Sequence, residues 1–303
     1  MKIKEQNKKL HYSQLLTVFF AAAAVLTVLR CIQIPTVIDA ETGFYTSRGF
    51  FVVLFFILLF ACCLVFSVAS FLSRESKYVR LESCKSKSLS VVSLLFSFVL
   101  FFDGASSLIS AYNTAQDTRI LDSVLKSMMI SGAIPQLLRG IFGILSGIYF
   151  VSLSGSLKRE NADTSKHKVL ALMPVGWSAC RLLNLFVRRI SFLRVSDLFL
   201  ELCMCAFMTL FFMAFAQVAS HIYLDESRWR IVGFGLPASL IAVVISVSRL
   251  IFTFIDSEKY ISENYGFCLA DFAFAVFAVV LVLRISKPKP LAEKQETETD
   301  IVS

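Results

Sequence analysis

Eight stretches of this sequence stay apolar for close to the ~20 residues that an α-helix needs to cross a bilayer. They run near 14–30, 49–72, 88–112, 130–157, 169–187, 197–220, 231–254 and 266–285. Inside hydrocarbon every backbone N–H and C=O must find its partner within the protein, so runs of this kind fold as membrane helices. Hydrophobic residues make up 56% of the chain, 30 of them Phe, which exceeds the roughly 45–50% of an ordinary soluble domain. The expected fold class is all-α: a polytopic membrane bundle of about eight transmembrane helices, one domain over 1–285 with no soluble domain. The longest connections, Cys31–Arg48 and Asn113–Met129, read as loops or interfacial turns. The tail 286–303 opens Ser-Lys-Pro-Lys-Pro and continues with mixed charge. It has little apolar surface to bury and reads as a disordered cytoplasmic extension.

Lys2, Lys4, Lys8 and Lys9 precede the first run, and Ala21–Ala24 are small enough for a leader cleavage site. Those alanines lie in the middle of the apolar run, where cleavage does not occur, so the run reads as an uncleaved first helix. Placing both termini in the cytoplasm puts 19 Lys and Arg on that side and 7 on the other. This bias sets the expected orientation, in the cytoplasmic membrane of a bacterium. Arg188, Arg189 and Arg194 fit it worst, since it puts them outside. The net charge of +8 is carried by short inter-helix segments, so the expected partner is the lipid bilayer and not nucleic acid.

The run Leu170–Arg189 is apolar enough to enter the membrane but carries Arg181 inside it. Trp177, Arg181, Asn184 and Arg188 follow at helical spacing on one face. An arginine inside such a helix costs about 2.5–3.5 kcal/mol on insertion scales and should face protein or water. Five more ionisable residues lie at matching depth: Asp103, Arg139, Glu201, Arg249 and Asp271. Three acids and three arginines from six helices would form a neutral layer in the outer half of the membrane. Gln136, Asn184 and Ser246 are polar neighbours of that layer. Simpler roles exist for three of the six. Glu201 and Asp271 could sit at helix N-termini, with Ser196 or Asp197 capping the former helix, and Arg249 could reach outward to the interface. Asp103, Arg139 and Arg181 have apolar flanks on both sides and resist such readings.

Gly140, Gly143 and Gly147 share one side of the fourth run, and Ser90, Ser93, Ser97, Gly104 and Ser107 form a stripe on the third. Such stripes let helices approach closely. Pro135 and Pro237 read as residues near helix starts, while Pro174 with Gly176 reads as a real bend. Val68-Ala69-Ser70 returns as Val218-Ala219-Ser220, but the flanking helices do not align, so this is no internal repeat. The eight cysteines, Cys31, Cys62, Cys63, Cys84, Cys180, Cys203, Cys205 and Cys268, contain no C-x-x-C pair. They read as packing residues, with no disulfide frame, no metal and no cofactor expected.

No catalytic motif stands out. The histidines, His11, His167 and His221, lie in the cytoplasmic segments or at helix ends, and an aspartyl pair would need Asp103 and Asp271 to meet. The chain therefore reads as a non-enzyme. The segments Ile38-Asp39-Ala40-Glu41-Thr42-Gly43-Phe44-Tyr45, Pro174–Leu183, Phe211-Phe212 and Gly233–Pro237 resemble uncharacterised multi-pass integral membrane proteins of gut Clostridia. That resemblance implies a bacterial membrane protein and supplies no substrate or site residue.

Two functions fit the sequence. In one, the layer binds or transports a small solute or ion, with Asp103, Arg139, Arg181, Asn184, Glu201, Arg249 and Asp271 as the candidate site. In the other, the protein is structural, sensory or partner-binding and the charges only hold helices together. The cost of Asp103, Arg139 and Arg181 favours the first. The orientation has a direct test: single cysteines introduced at Asn113 and Lys158 should label with an impermeant reagent from opposite faces of the membrane. Labelling of both from one face would overturn it.

Overall fold

The computed structural model describes residues 2–38, 45–46, 49–72, 86–117, 132–158, 168–187, 195–222, 227–255 and 268–286. Eight α-helices occur among them: α1 Lys2–Val37, α2 Phe50–Leu72, α3 Lys87–Asp117, α4 Ala133–Lys158, α5 Met173–Val187, α6 Val195–Ala219, α7 Ser227–Ile255 and α8 Leu269–Ser286. Each helix, counting the 3-10 turn Leu170–Leu172 with α5, is long and apolar enough to cross a membrane. This agrees with the eight expected runs and marks a multi-pass membrane protein. The tail 286–303 lies outside the described residues beyond Ser286, as do Arg188, Arg189, Arg194, His167 and Cys84.

Side chains such as Phe50, Phe60, Leu64, Phe102 and Phe254 are exposed on the surface of the bundle. On a soluble protein so much apolar surface would drive aggregation; on this one it faces lipid tails. Within the bundle, α3 packs on α4, α4 on α5, α5 on α6, α6 on α7, α7 on α8 and α8 back on α3. Six helices thus close a ring, with α5 and α8 on opposite sides of it. The remaining two, α1 and α2, pack together against α7. This explains why α7 buries 61% of its most apolar window and α2 only 22%.

Aromatic rings fill the ring's centre. Phe96 of α3 stacks on Phe277 of α8 at 5.4 Å and on Phe212 of α6 at 6.3 Å. Phe150 of α4 meets Phe277 at 5.1 Å, and Trp177 of α5 lies edge-on to Phe212 at 6.2 Å. All five are buried. Offset and edge-to-face pairs of this kind each add about 0.5–1.5 kcal/mol beyond the area they bury.

The small-residue stripes do what their spacing implies. A Cβ built on Gly104 would lie 3.0 Å from the Gly140 carbonyl oxygen, and one on Gly143 would lie 3.2 Å from Gly104 Cα. Nearer the other end, Ser90 Oγ donates to the Ser154 carbonyl at 2.9 Å and Ser154 Oγ to the Ser90 carbonyl at 2.8 Å. The backbones of α3 and α4 therefore touch around Gly104, and serine hydroxyls bridge them farther along.

The prolines depart from expectation. Pro174 does not bend a helix. The short 3-10 turn Leu170–Leu172 comes first, and Pro174 falls in the first turn of α5, where no intrahelical donor is lost. Pro237 is the one that interrupts, because α7 begins at Ser227 and not near 231. It cannot donate to the Gly233 carbonyl one turn back. Ser67 Oγ of α2 does so instead, at 3.1 Å. Pro35 also lies inside a helix, since α1 continues to Val37 and shortens the expected loop.

Gly104→Ala should destabilise the bundle by about 1–3 kcal/mol, because the new methyl presses on the Gly140 and Ile144 backbone as well as on the Ile144 side chain. Gly155→Ala is the control: its Cβ meets nothing within 4 Å, so thermal unfolding in detergent should show no loss there.

Candidate functional site

The odd-numbered helices end, and the even-numbered ones begin, at one end of the bundle. The contacts fix this: Arg30, Arg181 and Arg249 lie in the last two turns or so of α1, α5 and α7. Asp197, Glu201 and Asp271 lie in the first turns of α6 and α8. Acids near helix N-termini and cations near C-termini also suit the helix dipoles. Asp103, at the middle of α3, gains nothing from the dipole, and Arg139, early in α4, is placed against that sense, so their mutual contact has to hold them.

Around α3, α4, α5 and α8 the charges form two linked pairs. Arg139 donates to Asp103 from Nε at 3.2 Å and from a terminal nitrogen. Trp177 Nε1 donates to the same carboxylate at 2.9 Å. Arg181 meets both oxygens of Asp271, donating to Oδ2 at 2.8 Å. Its guanidinium also lies 5.9 Å from the Trp177 ring centre and 3.6 Å from Cys268 Sγ. Asp103 and Asp271 are thus taken by separate arginines and do not form an aspartyl dyad.

The second group surrounds α7. Arg30 of α1 donates to Asp197 of α6, and through its other nitrogen to Gln33 and to Tyr45, each at 3.1 Å. Gln33 in turn donates to the Phe51 carbonyl of α2 at 2.8 Å. Arg249 bridges Asp197, at 3.2 Å, and Glu201. Charge–charge interaction links the two pairs of the first group, from Arg181 to Asp103, and the first group to the second, from Arg249 to Asp271. Four arginines and four acids stand in this layer, so it is neutral among the described residues.

The expected layer is present, and the structure adds the pairings. It also corrects several readings. Arg249 does not reach outward; it is 6% exposed and paired. Glu201 and Asp271 occupy early helical turns but serve as ion-pair partners as well. Asp197 is not a bare cap; it is a buried member of the layer, 4% exposed. Arg30 belongs there too, and the sequence reading missed it because α1 was ended at residue 30. The apolar pattern continuing through Ile34 and Val37 was the available signal. Gln136 turns away from Arg139, accepting from Ser110 and Thr114 of α3 at 3.4 and 3.5 Å. Asn184 and Ser246 are buried, and among the described residues neither Asn184 Oδ1 nor Ser246 Oγ has a hydrogen-bond partner. Trp177, Arg181 and Asn184 do share the buried face of α5, as their spacing required.

Fold and site together define an all-helical multi-pass membrane protein with a neutral arginine–carboxylate layer across one end. No family model matches the chain, and no curated protein or solved structure does either.

Removing one partner of a buried pair strands the other charge, which typically costs 3–5 kcal/mol. Asp197→Ala should approach that loss, because Arg30 would lose its carboxylate while Arg249 keeps Glu201. Arg30→Met combined with Asp197→Met leaves no stranded charge and should recover most of the stability. Denaturant or thermal unfolding of the two variants would show it.

Proposed function

We infer that this is a protein of the bacterial cytoplasmic membrane, both termini cytoplasmic, that binds or transports a small solute or ion. In this reading the charged layer closes the outward mouth of the six-helix ring, and the protein is not an enzyme. The observation that carries it is the course of Arg181. Arg139 and Asp103 join helices that pack directly on each other, α4 and α3. The main neighbours of α5 are α4 and α6, yet Arg181 reaches across the ring to Asp271 on α8. An ion pair lying over the ring's axis stands where a solute would have to pass. Buried ion pairs are also an inefficient source of stability, since apolar replacements of similar volume are often neutral or better.

The second reading, that the charges only hold helices together, draws on a specific fact as well: all eight have partners of opposite sign. One double variant separates the two. Arg181→Leu with Asp271→Leu removes the transverse pair without stranding a charge, so it should fold with stability near wild type. A thermal-shift panel of small anions, cations and zwitterions at millimolar concentration should then contain solutes that raise the melting temperature of the wild type and not of the variant. If none does, the stapling reading stands.

A further inference from the structure

We propose that the Arg181–Asp271 pair is the recognition site for a small zwitterion of the α-amino-acid type, its carboxylate going to Arg181 and its ammonium to Asp271. This rests on the solute-handling reading above and names the substrate class. The argument is one of charge conservation in a medium that tolerates no stranded ion. Asp103 is already held by two nitrogens of Arg139 and by Trp177 Nε1. It is not free to replace Asp271 as the counter-ion of Arg181. An anion docking on Arg181 would leave Asp271 unpaired, and a cation docking on Asp271 would leave Arg181 unpaired. Both side chains are more than nine-tenths buried, so either outcome is penalised. A solute bearing both charges opens the pair and satisfies each half, leaving the layer neutral throughout.

Geometry narrows the class further. The two groups are in direct contact, with 2.8 Å between a guanidinium nitrogen and a carboxylate oxygen. The smallest opening is needed by a ligand whose charges lie close together, as they do on the two substituents of one carbon. Asn184 lies one turn along the same face of α5, and its buried Oδ1 has no partner among the described residues. It offers a third polar contact, an acceptor for an ammonium N–H. On the other side of Arg181, Trp177 lies against Phe212, which meets Phe274 of α8 at 5.5 Å. These rings suit an apolar side chain on the same ligand.

Trp177 reports on the site directly, since the chain has two Trp and Trp229 packs on Phe71 and Phe234 near the opposite end. Protein carrying Trp229→Phe, in lipid nanodiscs, would be titrated with leucine, phenylalanine and glycine. The amides of the three carry only the positive charge and the N-acetyl forms only the negative. Titrations run at constant ionic strength, and thermal shift of the wild-type protein with the same compounds is the second readout. The expected result is a saturable change in Trp177 emission with a zwitterion. Its single-charge forms should bind at least about tenfold more weakly, a difference of one decade in Kd. The effect should vanish in the Arg181→Leu, Asp271→Leu double variant. N-acetyl or amide forms acting as strongly as the parent would overturn the proposal while leaving the solute-handling reading intact. No response to any compound in either readout would overturn it as well. Should the wider solute panel also fail, the solute-handling reading falls with it.

Discussion

A charge in hydrocarbon must be met by its opposite, and that requirement organises this molecule. Arg30, Arg139, Arg181 and Arg249 come from four helices, and their acids come from three others. Each apolar run could slide or rotate against the next at modest cost, because lipid tails are as apolar as leucine. The carboxylates remove that freedom. Asp103 holds α3, α4 and α5 in one register through Arg139 and Trp177, and Asp197 does the same for α1, α6 and α7 through Arg30 and Arg249. Ion pairs in this setting contribute specificity of arrangement more than net stability.

Beside and beneath the layer the packing takes two forms. The α3–α4 contact is backbone on backbone, made close by Gly104, Gly140 and Gly143. The ring's centre is the opposite, a stack of large rings from α3, α4, α5, α6 and α8. Small residues set the distance between one pair of helices, and large ones fill the space left where helices face each other without touching. Trp177 belongs to both regimes: its face and edge join the aromatic stack while its Nε1 reaches the layer above.

Much of the fold was legible because hydrophobic length is a direct physical requirement of the bilayer. The number of helices follows from it, and so does the shared depth of Asp103, Arg139, Arg181, Glu201, Arg249 and Asp271, once alternate crossings are assumed. Pairing was not legible. Depth along a helix is linear in sequence, whereas the direction a side chain faces depends on which helices are neighbours, and no one-dimensional pattern orders the ring. Arg30 and Asp197 were lost for a different reason: both lie near helix ends, where an ionisable residue normally needs no explanation. Pro174 and Pro237 exchanged roles because helix starts shifted by a few residues, enough to move one proline into the first turn and the other into an interior.

The replacement bond from Ser67 to the Gly233 carbonyl has a mechanical consequence. With Pro237 in place, α7 lacks its own hydrogen bond across that turn, so bending costs least there. Ser67 and Phe71 hold α2 to the half of α7 that bears Trp229, so the bond that fills the gap comes from a neighbouring helix. The most enclosed helix of the bundle is therefore completed at that turn by the least enclosed one.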